Sequence, residues 1–221
     1  MMSELPAFSA RSMAIRTAAI LFVFVIIFTA LLSGAYLWTR PAIEASAQAE
    51  KMRLIDEVLP RTAYDNDLIT DTLNLPPLAE LGSSEESVLY RARRKGQPAA
   101  LVFEAVAPDG YAGKIRLVIA VNADGSLAGV RVTQHRETPG LGDYIEVRKD
   151  KNKARPWITQ FVGLSLDNVN EAGWHVRKDG GRIDHYAGAT VTPRSVTKAI
   201  HKALQWAVKH HIELYEAGEA K

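Results

Sequence analysis

The chain passes through three regimes of hydrophobic patterning. From Ala18 to Trp38 almost every position is apolar, with Thr29 and Ser33 the only polar side chains. About 20 such residues in a helix span a hydrocarbon core of roughly 30 Å. The run exceeds the roughly 7–15 apolar residues of a cleaved signal, the rival raised by the small residues Ala45-Ser46-Ala47. The pattern therefore predicts a single N-terminal transmembrane helix, with Tyr36 and Trp38 at a membrane interface. From Ala42 to Leu59, Ile43, Ala47, Met52, Ile55 and Leu59 fall on or near one helical face that stops before Pro60, which predicts a stalk helix. Residues 61–82, with Asp65-Asn66-Asp67 and Pro76-Pro77, read as a linker or wrapping loop.

The second regime has a period of two. Val88 to Arg93 and Ala99 to Ala105 flank the turn Lys95-Gly96-Gln97-Pro98, and Lys114 to Val121 alternates Ile115, Leu117, Ile119 and Val121 before Asn122-Ala123-Asp124-Gly125 returns it into Leu127 to Gln134. Four antiparallel strands are predicted. Asp143–Lys149 and Pro156–Phe161 read as short helices, Trp157 and Phe161 packing inward. Trp174–Arg177 and Arg182–His185 read as a last hairpin around Asp179-Gly180-Gly181. The third regime has the helical period, with Val196, Ala199, Ile200, Ala203, Leu204, Ala207 and Val208 on one face. The fold class is α+β: an antiparallel sheet covered by helices, preceded by the transmembrane helix. Three regions are expected: 1–40 tail and transmembrane helix, 41–82 stalk and linker, and 83–221 the folded domain.

Charge and composition mainly exclude. A net charge of +2 gives no argument for nucleic acid, and the basic run Arg91–Lys95 reads as a solvated strand edge. The chain has no cysteine, which removes disulfides and cysteine-ligated iron–sulfur clusters. His175 and His185 read as ordinary strand residues, His201, His210 and His211 as mostly on the polar side of the last helix, and Asp65, Asp67 and Asp71 lack the spacing of a calcium loop. No metal site is expected. Neither Gly-x-Gly-x-x-Gly after a strand nor a Gly-x-Ser-x-Gly elbow is present.

Two glycine loops carry the candidate chemistry. Gly188-Ala189-Thr190-Val191-Thr192-Pro193 leads into the last helix, with Thr192 in the N-cap position and Pro193 as the first helical residue. Thr190 then lies beside unpaired N–H groups at the positive helix end, a ready phosphate site, and Gly188 and Ala189 leave room for a bulky group. In Glu137-Thr138-Pro139-Gly140-Leu141-Gly142, Pro139 and Gly140 fit the centre of a type II turn, and Gly142 permits close approach.

Gly-Ala-Thr-x-Thr, with Asp184 six residues before Thr190, resembles the flavinylation motif of the Rnf and sodium-translocating quinone reductase families. Ala187 takes the place where those families usually have Ser or Thr. Glu-Thr-Pro-Gly-Leu-Gly is similar to the loop that borders their flavin. Length and layout look more like the G subunit of the Rnf (Rsx) complex than the C subunit of the quinone reductase. The resemblance implies FMN attached through a phosphoester to Thr190 by a flavin transferase, with Gly188, Ala189, Thr192, Asp184, Glu137, Thr138, Gly140, Leu141 and Gly142 around it. It implies a bacterial inner-membrane flavoprotein with its domain on the periplasmic side, relaying electrons among membrane subunits that couple ferredoxin and NAD to ion movement. It would not be catalytic alone. The other readings are a cofactor-free membrane-anchored assembly module, in which both loops are tight turns, and a hydrolase using Thr190 as nucleophile with His185 as base.

Overall fold

A computed structural model describes residues 10–217. The chain divides into two compact units, Met1–Lys51 and Met52–Lys221. Helix α1, Ala10–Val58, is continuous through Pro41. A proline there removes the hydrogen bond to the carbonyl one turn back. The Thr39 hydroxyl meanwhile donates to the Ala35 carbonyl at 2.9 Å. The segment Arg11–Ile43 has a mean hydropathy of 2.6, long and apolar enough to cross a membrane.

The second unit is built on one antiparallel sheet in sequence order: β1 Thr72–Leu75, β2 Ser87–Arg94, β3 Gln97–Gly110, β4 Gly113–Asn122 and β5 Leu127–Gln134. Strands β2 to β5 lie where the alternation predicts them. On one face, Leu101, Phe103, Ile115, Leu117 and Ile119 pack under helix α2, Val191–Glu216, through Val196, Ile200, Ala203 and Leu204. Phe103 meets Trp206 edge-on at 5.3 Å. The same core takes in Trp157 and Phe161, buried and in edge contact at 5.4 Å, as their spacing predicts. The opposite face is covered by the end of α1: Ile55, Val58 and Leu59, with Leu68, pack on Ala92, Val102, Val118 and Ala120. Both faces of the central strands are thus apolar, which explains the unbroken buried run Ala100-Leu101-Val102-Phe103 in β3.

Several local expectations are corrected. Thr72–Leu75, read as part of a linker, is an edge strand paired on β2 from Thr72↔Tyr90 to Leu75↔Ser87. That pairing makes β2 interior, so Arg91 is buried rather than solvated and pairs with Asp71 at 2.6 Å. The hairpin expected over Trp174–His185 is a single bridge, Val176↔Ile183, around the 3-10 turn Arg177–Asp179. The helices expected near 143 and 157 are 3-10 turns, Asp143–Ile145 and Trp157–Phe161. His201, expected on the polar side of α2, is buried and stacks flat on Trp174 at 4.8 Å.

Candidate functional site

Helix α2 begins two residues earlier than the capping signature implies. The N-cap by backbone is Thr190, at φ −100° and ψ −20°, and its hydroxyl makes no capping hydrogen bond. Thr192 is not the cap. It lies inside the first turn, buried, and its hydroxyl donates to the Glu137 carboxylate. Pro193 is then the third helical residue rather than the first, which costs nothing because every N–H of the first turn lacks an intrahelical acceptor. The arrangement leaves the Thr190 hydroxyl free at the positive helix end.

The two glycine loops, far apart in sequence, together line one open cleft of about 270 Å³. One contributes Glu137, Thr138, Leu141 and Gly142, and the other Gly188, Ala189, Thr190 and Thr192. Glu137 is the tie between them. It is 4% exposed, and besides Thr192 it accepts the Ala112 N–H at 3.1 Å. Its own N–H donates to His135 Nδ1 at 3.0 Å, while His135 Nε2 lies 3.3 Å from Glu146. Gly142 must be glycine for space: a Cβ there would lie 2.8 Å from both Glu137 Oε2 and Thr192 Oγ1.

Gly140 and Gly188 serve a different purpose. Gly140 has φ +77° and Gly188 φ +84°, left-handed conformations that strain other residues, and nothing lies within 4 Å of a Cβ at either. Gly140 is not part of the cleft wall; its N–H donates to Asp143 Oδ1 at 2.8 Å and closes the turn. Asp184 also stands outside the cleft. Its carboxylate pairs with Arg177 at 2.7 Å, while its backbone accepts from Trp157 Nε1 at 2.5 Å and donates to Gln160 Oε1 at 2.8 Å. Asp184 therefore fixes the approach to the Thr190 turn through its main chain.

Beneath that turn is a support that the sequence patterns did not reveal. The Tyr144 hydroxyl donates to the Ala189 carbonyl at 3.1 Å, and its ring lies 4.3 Å from that of Tyr186. The Tyr186 hydroxyl donates to Asp150 at 2.7 Å, and the fully buried Asp150 also accepts the Trp157 N–H at 2.5 Å. Burial pushes the Tyr144 hydroxyl up to about 12; burial, followed by the Asp150 bond, does the same for Tyr186. Both remain protonated donors at any physiological pH. Tyr111 and Val191, also unforeseen, complete the cleft lining. Aromatic spacing over 144–186 has no helical or strand period, so no sequence signal linked these residues.

The cleft thus offers a nucleophilic oxygen at a helix N-terminus, beside apolar walls. That donor set fits a phosphate joined to a flat apolar ring. Comparison with known proteins agrees. Residues 110–205 match the FMN-binding domain family, and residues 2–58 match the RnfG N-terminal region. Relatives named as the G subunit of an ion-translocating oxidoreductase complex include one from Pseudomonas aeruginosa, 42% identical over 196 residues that cover 89% of each chain. One from Pseudoalteromonas atlantica is 40% identical over 185 residues, 84% of each chain, and one from Shewanella oneidensis 36% identical over 201 residues, 91% of this chain and 92% of the relative. The cleft formed by Glu137–Gly142 and Gly188–Thr192 lies within the matched FMN-binding region, and similarity continues over most of the chain, which belongs to the family of G subunits of ion-translocating oxidoreductase complexes.

Proposed function

We propose that this chain is a membrane-anchored flavoprotein that carries FMN on Thr190 and relays electrons within an ion-translocating oxidoreductase complex coupling ferredoxin and NAD. The observation that carries the reading is the Thr190 hydroxyl, at the start of α2, unengaged in capping and in the wall of the cleft. FMN would supply the one-electron transfer. The protein's part is to hold the phosphate at the helix N-terminus, to seat the ring between the 137–142 loop and the Thr190 turn, and to keep that turn rigid through Tyr144 and Tyr186. The apolar segment Arg11–Ile43 would anchor the protein in the bacterial inner membrane beside its partner subunits, with the folded domain on the periplasmic side.

Attachment needs a flavin transferase and a flavin dinucleotide as donor. The Thr190 oxygen forms a bond to the flavin-side phosphorus, the pyrophosphate bond breaks, the nucleotide monophosphate leaves, and the hydroxyl proton passes to the transferase or water. The chain gains one FMN less one water. Coexpressed with a transferase, wild-type protein should show this added mass on the peptide holding Thr190 and flavin fluorescence after denaturation. Thr190→Val, which keeps the branching and deletes the oxygen, should show neither. Mass on Thr192 or Ser195, or retained in Thr190→Val, would refute the assignment.

A further inference from the structure

We propose that Tyr111, at the tip of the β3–β4 hairpin, is the aromatic cover of this cleft and stacks on the face of the ring bound there. The inference rests on the FMN reading and adds to it the side chain that shields and tunes the flavin. Tyr111 is 70% exposed, an unusual position for a large aromatic unless something else covers it. It does not stand alone. Leu141 on the 137–142 loop is 55% exposed and Val191 at the start of α2 is 44% exposed, and all three line the same cleft. Single exposed apolar residues are ordinary, but three converging on one concavity beside a phosphate-type site mark an apolar ligand surface.

The hairpin tip is also held in place, which a merely solvent-exposed turn would not need. The N–H of Ala112, the residue after Tyr111, donates to Glu137 Oε1 at 3.1 Å, and Glu137 is itself bound by Thr192. The tip is therefore tied to the cleft wall and to the first turn of α2 through one buried carboxylate. The ladder closes at Gly110↔Gly113, so Tyr111 and Ala112 are the two residues beyond the paired strands. A two-residue tip fixed at its second position leaves the phenol ring little freedom other than rotation of its own side chain. A flat heteroaromatic ring is the ligand that such a phenol, lining the cleft with Leu141 and Val191, accommodates by offset stacking.

A stacked phenol quenches flavin fluorescence by donating an electron to the excited ring, and contact with any flat cover displaces the flavin absorption bands. The test uses full-length protein coexpressed with a flavin transferase, comparing native spectra with fluorescence after denaturation. Wild type should be weakly fluorescent when native and bright when denatured. Tyr111→Ala should keep its flavin, as the denatured signal reports, while native fluorescence rises severalfold and the bands move. Tyr111→Phe should also brighten, having lost the electron-rich phenol, yet keep the wild-type bands. Tyr111→Ala with native fluorescence and bands like those of wild type would overturn the cover while leaving FMN attachment intact. A Tyr111→Ala protein that took up no flavin would overturn it also, because a side chain that only covers the ring is dispensable for attachment. Wild type lacking denatured fluorescence would instead defeat the FMN reading, and the cover with it.

Discussion

The Thr192 hydroxyl donates its hydrogen bond to the carboxylate of Glu137, joining the first turn of α2 to the loop that follows β5. Both residues are buried, at 2% and 4% exposure, so the bond is made where water cannot replace it. Thr192→Val should leave Glu137 with the Ala112 N–H alone and cost about 1–3 kcal/mol of stability. Glu137→Gln keeps the shape and can still pair with Thr192, so its loss should be smaller. Urea unfolding of the two variants checks the order; a Thr192→Val protein as stable as wild type would show the bond to be idle.

A second buried ionic group holds the other end of α2. Arg91 pairs with Asp71 at 2.6 Å and donates to the carbonyls of Leu214 and Ala217, and Arg93 reaches the same carboxylate at 2.8 Å. The last carbonyls of a helix need such donors. Asp71→Asn would strip two arginines of their shared carboxylate while Arg91 stays buried. Breaking buried pairs costs roughly 3–5 kcal/mol, and the Asp71 side chain is 20% exposed, so a loss toward the lower end is expected. The unfolding midpoint should fall, and a midpoint equal to that of wild type would show the pair to be idle.

How much of this was legible in the sequence follows from where each signal lives. Alternation revealed β2 to β5, since alternate residues such as Leu89, Phe103, Leu117 and Leu127 enter one core. β1 was hidden because Thr72-Leu73-Asn74-Leu75 is short and lies between turn residues, and its pairing comes from β2's free edge rather than from its own pattern. The cap was misplaced by two residues because Thr192-Pro193 satisfies the capping rules equally well inside the first turn, and only the Glu137 carboxylate, distant in sequence, decides. The glycine loops were legible because their backbone demands are local. The Tyr144–Tyr186–Asp150 support was not, since its members meet only in the folded chain.

His201 makes stability depend on pH. Burial pushes its imidazole below the usual value; Glu171, 3.5 Å away, opposes that shift and His175 adds to it. A histidine whose folded value is depressed contributes stability above its unfolded value near 6.5, and that stability is lost as pH falls toward the folded value. Stability should therefore decline from pH 7 to pH 5. His201→Gln should flatten this part of the profile. Equal slopes in the two proteins over that range would show that His201 contributes nothing.

The end of α1 belongs energetically to the sheet. Ile55, Val58 and Leu59 are at most 2% exposed and cover Ala92, Val102 and Ala120. Each such side chain contributes about 1.5–3 kcal/mol on burial. A truncation beginning at Ala42 should be soluble and unfold cooperatively, whereas one beginning at Pro60 should expose the sheet face and aggregate. Size-exclusion chromatography separates these outcomes, and a monodisperse Pro60 start would show the α1 segment to be dispensable.

Gly188 and Gly142 both line the cleft, yet they are glycines for opposite reasons, and substitution should separate them. Gly188 is left-handed at φ +84° with open space around it, so Gly188→Ala meets no atom but strains the backbone by roughly 1–2 kcal/mol. That strain sits in the turn that presents Thr190. Gly188 is exposed and packs on nothing, so the melting temperature should change little while flavin occupancy falls, and Gly188→Asn, which tolerates this conformation, should keep more flavin than Gly188→Ala. Gly142 has an ordinary φ of −95°, so its backbone welcomes any residue. Its Cβ would however press on Glu137 Oε2 and Thr192 Oγ1 at 2.8 Å, inside the buried pair that joins the loops. Gly142→Ala should therefore lower the melting temperature by several degrees. Absorbance of bound flavin per chain and thermal unfolding, measured on the same three variants, give the comparison. A Gly188→Ala protein that melts early with full flavin, or a Gly142→Ala protein that melts like wild type, would reverse the roles assigned to the two glycines.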